Sequence, residues 1–244
     1  MKEAENYKEE LLRHRHYFHM HPELGLEEKE TSAYIKSYLE KLGYEITPVF
    51  PTGMIAELPE LKKRKKTVVV RAEMDGLPME EKTGLPYASV NPGRMHACGH
   101  DGHMAMLLGL AFRLASADQR LPHNVLLIFQ PGEENPGGAR LLCEAGILER
   151  YHVKRIYGMH LWPQLPAGVI GTRREEMMAR SSEVNIDITG KSAHAASYQE
   201  GCDALETACR YLCDLYAMER QIDPAEYRLL RFGVLRSGSI RNVV

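Results

Sequence analysis

No stretch of this 244-residue sequence is apolar for long enough to cross a membrane, and its polar N-terminus lacks the apolar centre of a signal peptide. Neither sign of charge dominates: 31 Lys and Arg against 33 Asp and Glu leave a net charge of -2. That balance gives no electrostatic reason to expect nucleic acid or a membrane surface as partner. The one basic run, Lys62-Lys63-Arg64-Lys65-Lys66, reads as a solvated turn between two strands. Cysteines are few and odd in number, at Cys98, Cys143, Cys202, Cys209 and Cys213. Without a secretory context this argues against a disulfide framework and predicts reduced thiols in a cytoplasmic protein. Internal repeats and low-complexity segments are missing too. What remains is an ordinary globular composition, 44% hydrophobic and 26% charged. Its length suits one α/β core, alone or with part of a second domain.

Residues 5–20 read as a helix interrupted by His14, His16 and His19, with His21 just beyond, and a second helix from about Glu28 stops at Gly43. Short strands follow at 44–49 and 54–58, then a near-continuous apolar strand of parallel-sheet type at 67–72. Residues 103–115 are apolar almost all round and read as a core helix. A strand at 124–129, a helix at 139–145 and a strand at 155–159 complete the series. The alternation predicts an α/β fold, a mostly parallel (mixed) sheet flanked by helices on both faces. The pattern changes near Ser181. Residues 183–189 alternate polar with apolar, a helix spans 203–220, and a strand is expected at 229–235. This predicts two domains, 1–181 and 182–244, the second the start of a smaller α+β unit with a one-sided antiparallel sheet.

Four polar segments fall at or near strand ends: Arg71-Ala72-Glu73-Met74-Asp75, His96-Ala97-Cys98-Gly99-His100-Asp101, Gln130-Pro131-Gly132-Glu133-Glu134 and Gly158-Met159-His160. In open α/β sheets the carboxyl ends of the strands form one rim, where ligands bind. Thiolate, imidazole and carboxylate groups would meet there, the ligand types of zinc and neighbouring metals. In Cys98-Gly99-His100 the glycine permits the tight backbone that lets both flanking residues face one point. Such a triplet also arises by accident. Glu133-Glu134 at a strand end is costly when buried unless a cation or proton compensates it, although the same pair is harmless on an exposed loop. His160, which closes its strand, reads alone as a hydrogen-bonded core histidine. His14 and His16 are not neighbours on a helix face, which argues against an N-terminal metal site. His103 and His123 read as structural or solvent-facing.

These residues carry a resemblance. The run His19-Met20-His21-Pro22-Glu23-Leu24-Gly25 resembles the opening of the hippurate hydrolase and N-acyl-amino-acid amidohydrolase branch of the two-metal aminoacylase/carboxypeptidase family, the branch of the plant auxin-conjugate hydrolases. Segments 71–78, 95–103, 129–134, 158–163 and 190–195 are similar to the same branch. The resemblance implies that Cys98, His100, Glu134 and His160 are metal ligands for a pair of divalent ions (zinc, manganese, cobalt or nickel). It implies Glu133 as the catalytic carboxylate and Asp75 as the acidic support of the metal site. His194 matches a lid histidine that reaches a neighbouring subunit's site and steadies the oxyanion, and Asn242 a lid asparagine that contacts substrate across a homodimer.

The implied activity is hydrolysis of N-acyl amino acids, hippurate-like or N-acetylated, to a carboxylic acid and a free amino acid. A dipeptidase, carboxypeptidase or deacetylase of the same fold is the rival reading, and an inactive metal-binding or dimerising fragment a third. Three departures stand out: Arg-Ala-Asp-Met-Asp has Glu73 as its third residue, Gln-Pro-Ala-Glu-Glu has Gly132, and the lid's Gly-Gly-His-Gly is Ser192-Ala193-His194-Ala195. None removes a ligand. Members of the family continue for well over a hundred residues more, to a further histidine ligand, which predicts a chain truncated at its C-terminus.

Overall fold

The computed structural model describes residues 2–62, 66–116, 121–179, 182–226 and 228–244. They fall into two compact units, 1–164 and 165–244. In the first, helices α1 (Lys2–Met20) and α2 (Lys29–Lys41) precede strands β1 (Glu45–Val49) and β2 (Gly53–Glu57). Then come β3 (Thr67–Glu73), α3 (His100–Ala115), β4 (Asn124–Gln130), α4 (Gly138–Glu144), α5 (Ile147–Arg150) and β5 (Val153–Gly158).

Val68-Val69-Val70 and Leu126-Leu127-Ile128 offer no polar side chain to water, so strands built from them need cover on both faces. They have it. The order is β1-β2-β4-β3-β5, with β3 parallel to both β4 and β5 and only β2 reversed. Period-two alternation sends Ala72, Leu127 and Phe129 into a core with Phe18, Ile35, Leu39, Leu107 and Leu108 of the three long helices. The opposite face carries Val69, Leu126 and Ile128 against Leu142 and Ile147 of the two short ones. The expected mixed sheet with helices on both faces is present, its strands within two residues of the expected bounds.

Helix α3 begins three residues earlier than its apolar pattern suggests, at His100. Its first turn is polar yet buried, with His100, Asp101 and His103 all about 1% exposed. Apolar periodicity cannot register a turn buried for the sake of its polar groups. Residues 63–65, most of the basic run expected as a turn, lie outside the described residues, as does the boundary expected at 181. Lys62 pairs with Glu45 and, at 3.4 Å, with Glu57.

The second unit holds a 3-10 turn (Ala195–Glu200) and helix α6 (Ala204–Glu219), whose first turn is capped by Asp203 accepting the Glu206 N–H at 3.0 Å. The strands expected at 183–189 and 229–235 are not formed. The only bridges among the described residues of this unit are Lys191 with Cys202 and His194 with Val243. Both expected segments instead line a cavity of about 540 Å³ beside Ala208, Tyr211 and Leu212 of α6. Alternation decides which side chains share a face, but a strand also needs a neighbour to pair with. No described residue of this unit is buried. No helix among the described residues is long and apolar enough to cross a membrane, and all five cysteines are free.

Candidate metal centre

Because β3, β4 and β5 run parallel, their carboxyl ends share one rim, in register at Glu73 with Gln130 and at Arg71 with Gly158. Asp75 follows β3 by two residues, Glu133 and Glu134 follow β4, and His160 follows β5. The loop after β3 returns to the rim at Cys98, and Gly99, at φ +86, turns the backbone into α3 so that His100 opens the helix. A side chain there would be strained by the left-handed φ alone.

The ligand atoms of Cys98, His100 and Glu134 all lie within 4.8 Å of one another. His160 Nε2 stands 4.0 Å from Cys98 Sγ. The four expected ligand residues therefore meet at one place. His100 Nδ1 donates to the Asp75 carbonyl oxygen at 2.8 Å, which directs Nε2 outward, 3.8 Å from Glu133 Oε2. The Asp75 carboxylate accepts the Glu134 N–H through Oδ2 at 2.9 Å, while its buried Oδ1 has no hydrogen-bond partner. Asp75 thus orients the metal-facing nitrogen of one candidate ligand and anchors the backbone of another.

The charges do not balance among themselves. Burial, followed by the nearby Glu134 and Glu133 carboxylates, pushes the Cys98 thiol up to about 12. Burial and the charge of Glu134 also raise Glu133. At Asp75 burial pulls upward, but His100 and the N–H groups of Glu134 and Glu133 outweigh it and hold the carboxyl low. A thiol, two imidazoles and three carboxylates crowded together, with an orphaned buried oxygen among them, fit a divalent cation.

Apart from Asp75, sequence reasoning did not single out the groups that hold this rim. Glu28, buried, accepts the Gly132 N–H at 2.8 Å and the Thr52 hydroxyl at 2.5 Å. It thereby fixes the turn, with Gly132 at φ +56, from which Glu133 and Glu134 project. Nothing local distinguishes it from Glu27. A second buried cluster joins Glu73, His100 and His103. Three of the N-terminal histidines have hydrogen-bond partners. His14 bonds the Tyr34 hydroxyl at 2.8 Å, His21 the Tyr17 carbonyl at 2.7 Å, and His19 Asp101 at 2.9 Å and Glu81 at 3.2 Å.

His194 and Asn242 belong to the second unit, on facing segments. His194 bridges Val243, its exposed ring accepts the Ala196 N–H at 3.1 Å, and the Ala195 N–H reaches the Asn242 carbonyl at 2.9 Å.

The profile of peptidase family M20/M25/M40 matches residues 69–226. The chain is 38% identical over 240 residues to N-acetyldiaminopimelate deacetylase of Streptococcus uberis, covering 96% of this chain and 63% of that protein. Among solved structures it is similar to the Bacillus subtilis YXEP protein, a dinuclear metal-binding peptidase from the M20 family. That likeness has 41% identity and a TM-score of 0.64, over 69% of this chain and 47% of that one. A putative aminohydrolase from methicillin-resistant Staphylococcus aureus matches at 29% identity and a TM-score of 0.77, over 99% of this chain and 64% of that one. The chain spans a little under two thirds of the length of the curated relatives it matches. With more than half of its residues inside the profile, and a relative 38% identical along nearly its whole length, this chain belongs to peptidase family M20/M25/M40.

Proposed function

We propose that this chain carries the metal site of an amidohydrolase that cleaves N-acyl amino acids, N-acetylated ones foremost, into a carboxylic acid and a free amino acid. The observation that carries the reading is the convergence of Cys98, His100 and Glu134, with His160 beside Cys98 and Glu133 beside His100. The deacetylase relatives support the acetyl group. Cys98, His100, Glu134 and His160 would hold two divalent ions, of zinc, manganese, cobalt or nickel. Such ions supply Lewis acidity and lower the pKa of water to about 7 from roughly 15.7.

Glu133 is not needed as a ligand. Its carboxylate, 3.8 Å from His100 Nε2, takes a proton from the attacking water and returns it to the leaving nitrogen. Asp75 keeps His100 in the tautomer that presents Nε2. Residues 1–181 are the catalytic domain and 182–244 part of a lid and dimerisation domain. From that lid, His194 would steady the oxyanion and Asn242 would bind substrate, each serving the site of the other subunit in a homodimer. The free thiols support a reducing, cytoplasmic setting.

The test is Glu133→Gln in the full-length protein, assayed on N-acetyl amino acids, hippurate and dipeptides. Turnover should fall by about 10²–10⁴-fold with metal content unchanged. Near-wild-type turnover rules out the role of Glu133, and cleavage of dipeptides alone rules out the acyl-amino-acid substrate.

A further inference from the structure

His160 is the candidate ligand with the least support of its own. It lies in an exposed loop beyond β5, and β5 is itself exposed along most of its length. Its Nδ1–H donates to the carbonyl of Leu161 at 2.7 Å, which leaves Nε2 bare toward Cys98. The position of His160 therefore depends on what holds Leu161.

Two contacts hold it. The Leu161 N–H donates to His103 Nε2 at 3.0 Å. The Leu161 side chain fills a notch over the first turn of α3, where a Cβ on Gly102 would lie 2.5 Å from its Cδ1. The other ring nitrogen of His103, Nδ1, lies 2.9 Å from Glu73 Oε2. A carboxylate can only accept, and Nε2 is already an acceptor, so the proton belongs on Nδ1 and the ring is neutral. Glu73 also pairs through Oε1 with Arg71, 2.7 Å away, which holds the carboxylate in place. The His103 ring also packs edge-on against that of His160, with centroids 4.8 Å apart. Both nitrogens of His103 are engaged, so it is scaffold and not a ligand, although Glu73, His100 and His103 lie close enough to suggest a second metal cluster.

We propose that His103 is a positioning residue for the metal centre: with its proton fixed on Nδ1 by Glu73, its Nε2 captures the Leu161 N–H and holds His160 against Cys98. The inference rests on the metal-site reading above. It gives a function to Glu73, the residue one methylene longer than the family pattern, as the origin of the chain Glu73–His103–Leu161–His160.

Long-range proton–nitrogen spectra of the histidine rings, recorded on the full chain without metal and after zinc is added, test the first half. His103 should show a protonated Nδ1 and a bare Nε2 in both states, while the His160 Nε2 signal moves on zinc addition. A proton on Nε2, or a His103 Nε2 that moves like a ligand, overturns the proposal. Zinc competition against a chromophoric chelator tests the second half. His103→Asn should weaken zinc binding by about 10–100-fold, as loss of an outer support does, and Glu73→Gln should weaken it less. A purely structural role would lower the melting temperature and leave zinc affinity intact, and that result overturns the proposal. If His103→Asn does not fold, unchanged affinity in Glu73→Gln serves the same purpose. Wild-type chain that binds no zinc overturns the metal-site reading and this inference together. Wild-type binding with indifferent variants overturns this inference alone.

Discussion

Polar side chains at the rim of the first unit are held from beneath, whereas those of the second unit stand in the open. Asp75, His100 and His103 are each about 1% exposed, and every one is tied to a backbone group or a second buried side chain. In residues 165–244 no described residue is buried, and the exposed His194 ring accepts its hydrogen bond from an N–H two residues along its own chain. The difference is one of preorganisation. Groups drawn from strand ends inherit the rigidity of the sheet. Residues borne on exposed segments have their positions set by whatever later covers them.

The sharpest way to break this contrast is to damage the sheet itself. Phe129, fully buried on β4 five residues before Glu134, anchors the strand that delivers both glutamates. Phe129→Ala should cost about 3–5 kcal/mol in urea unfolding. A loss under 1 kcal/mol would mean that the first unit is no more tightly packed than the second.

A second test uses pH. Burial brings the His14 imidazole down to about 4, with Arg13 adding to the effect and Glu10 opposing it. The ring is about 1% exposed and its Nε2 has no hydrogen-bond partner. Its folded pKa lies below the unfolded value of about 6.5, so between those limits the unfolded chain binds more protons. The neutral ring's contribution is complete above pH 6.5 and is lost as pH falls toward 4, a change of about 3 kcal/mol. Replacing the ring by one that cannot titrate, His14→Phe, should flatten the stability curve over that window relative to wild type. Parallel curves would show that His14 is not kept neutral by burial.

Glu28 tests the support of the rim at smaller scale. Glu28→Ala leaves the Gly132 N–H and the Thr52 hydroxyl without their partner, at a cost of about 1–3 kcal/mol. If the turn is held by Glu28, the variant's Glu133-Glu134 backbone amides should also exchange faster with solvent. Unchanged exchange would assign the turn to other contacts.

How much of this was legible depended on how local the cause was. The strands were readable because runs such as Val68-Val69-Val70 state their own need for burial, and three of the four rim segments because polar residues interrupt those runs at their ends. Glu28 and His103 were not readable as supports: each acts through a partner distant in sequence, Gly132 for one and Glu73 and Leu161 for the other. The start of α3 was missed because its first turn is buried by hydrogen bonding and not by apolar pattern. The strands expected in the second unit failed for the converse reason. The alternation of 183–189 is genuine, but pairing is a property of two segments, and among the described residues neither expected strand forms a ladder.

The smallest expected effect completes the contrast. Val234 is 74% exposed on the cavity-lining segment of the second unit, within the strand expected at 229–235. Val234→Ser removes apolar surface that water already reaches, and stability should change by no more than about 0.5 kcal/mol. A loss of 2 kcal/mol or more, on the order of a fully buried valine, would show this face to be covered in solution. Repeating the measurement at several protein concentrations separates the two ways that could happen. Cover supplied by another copy makes the loss depend on concentration, and cover supplied within one chain does not.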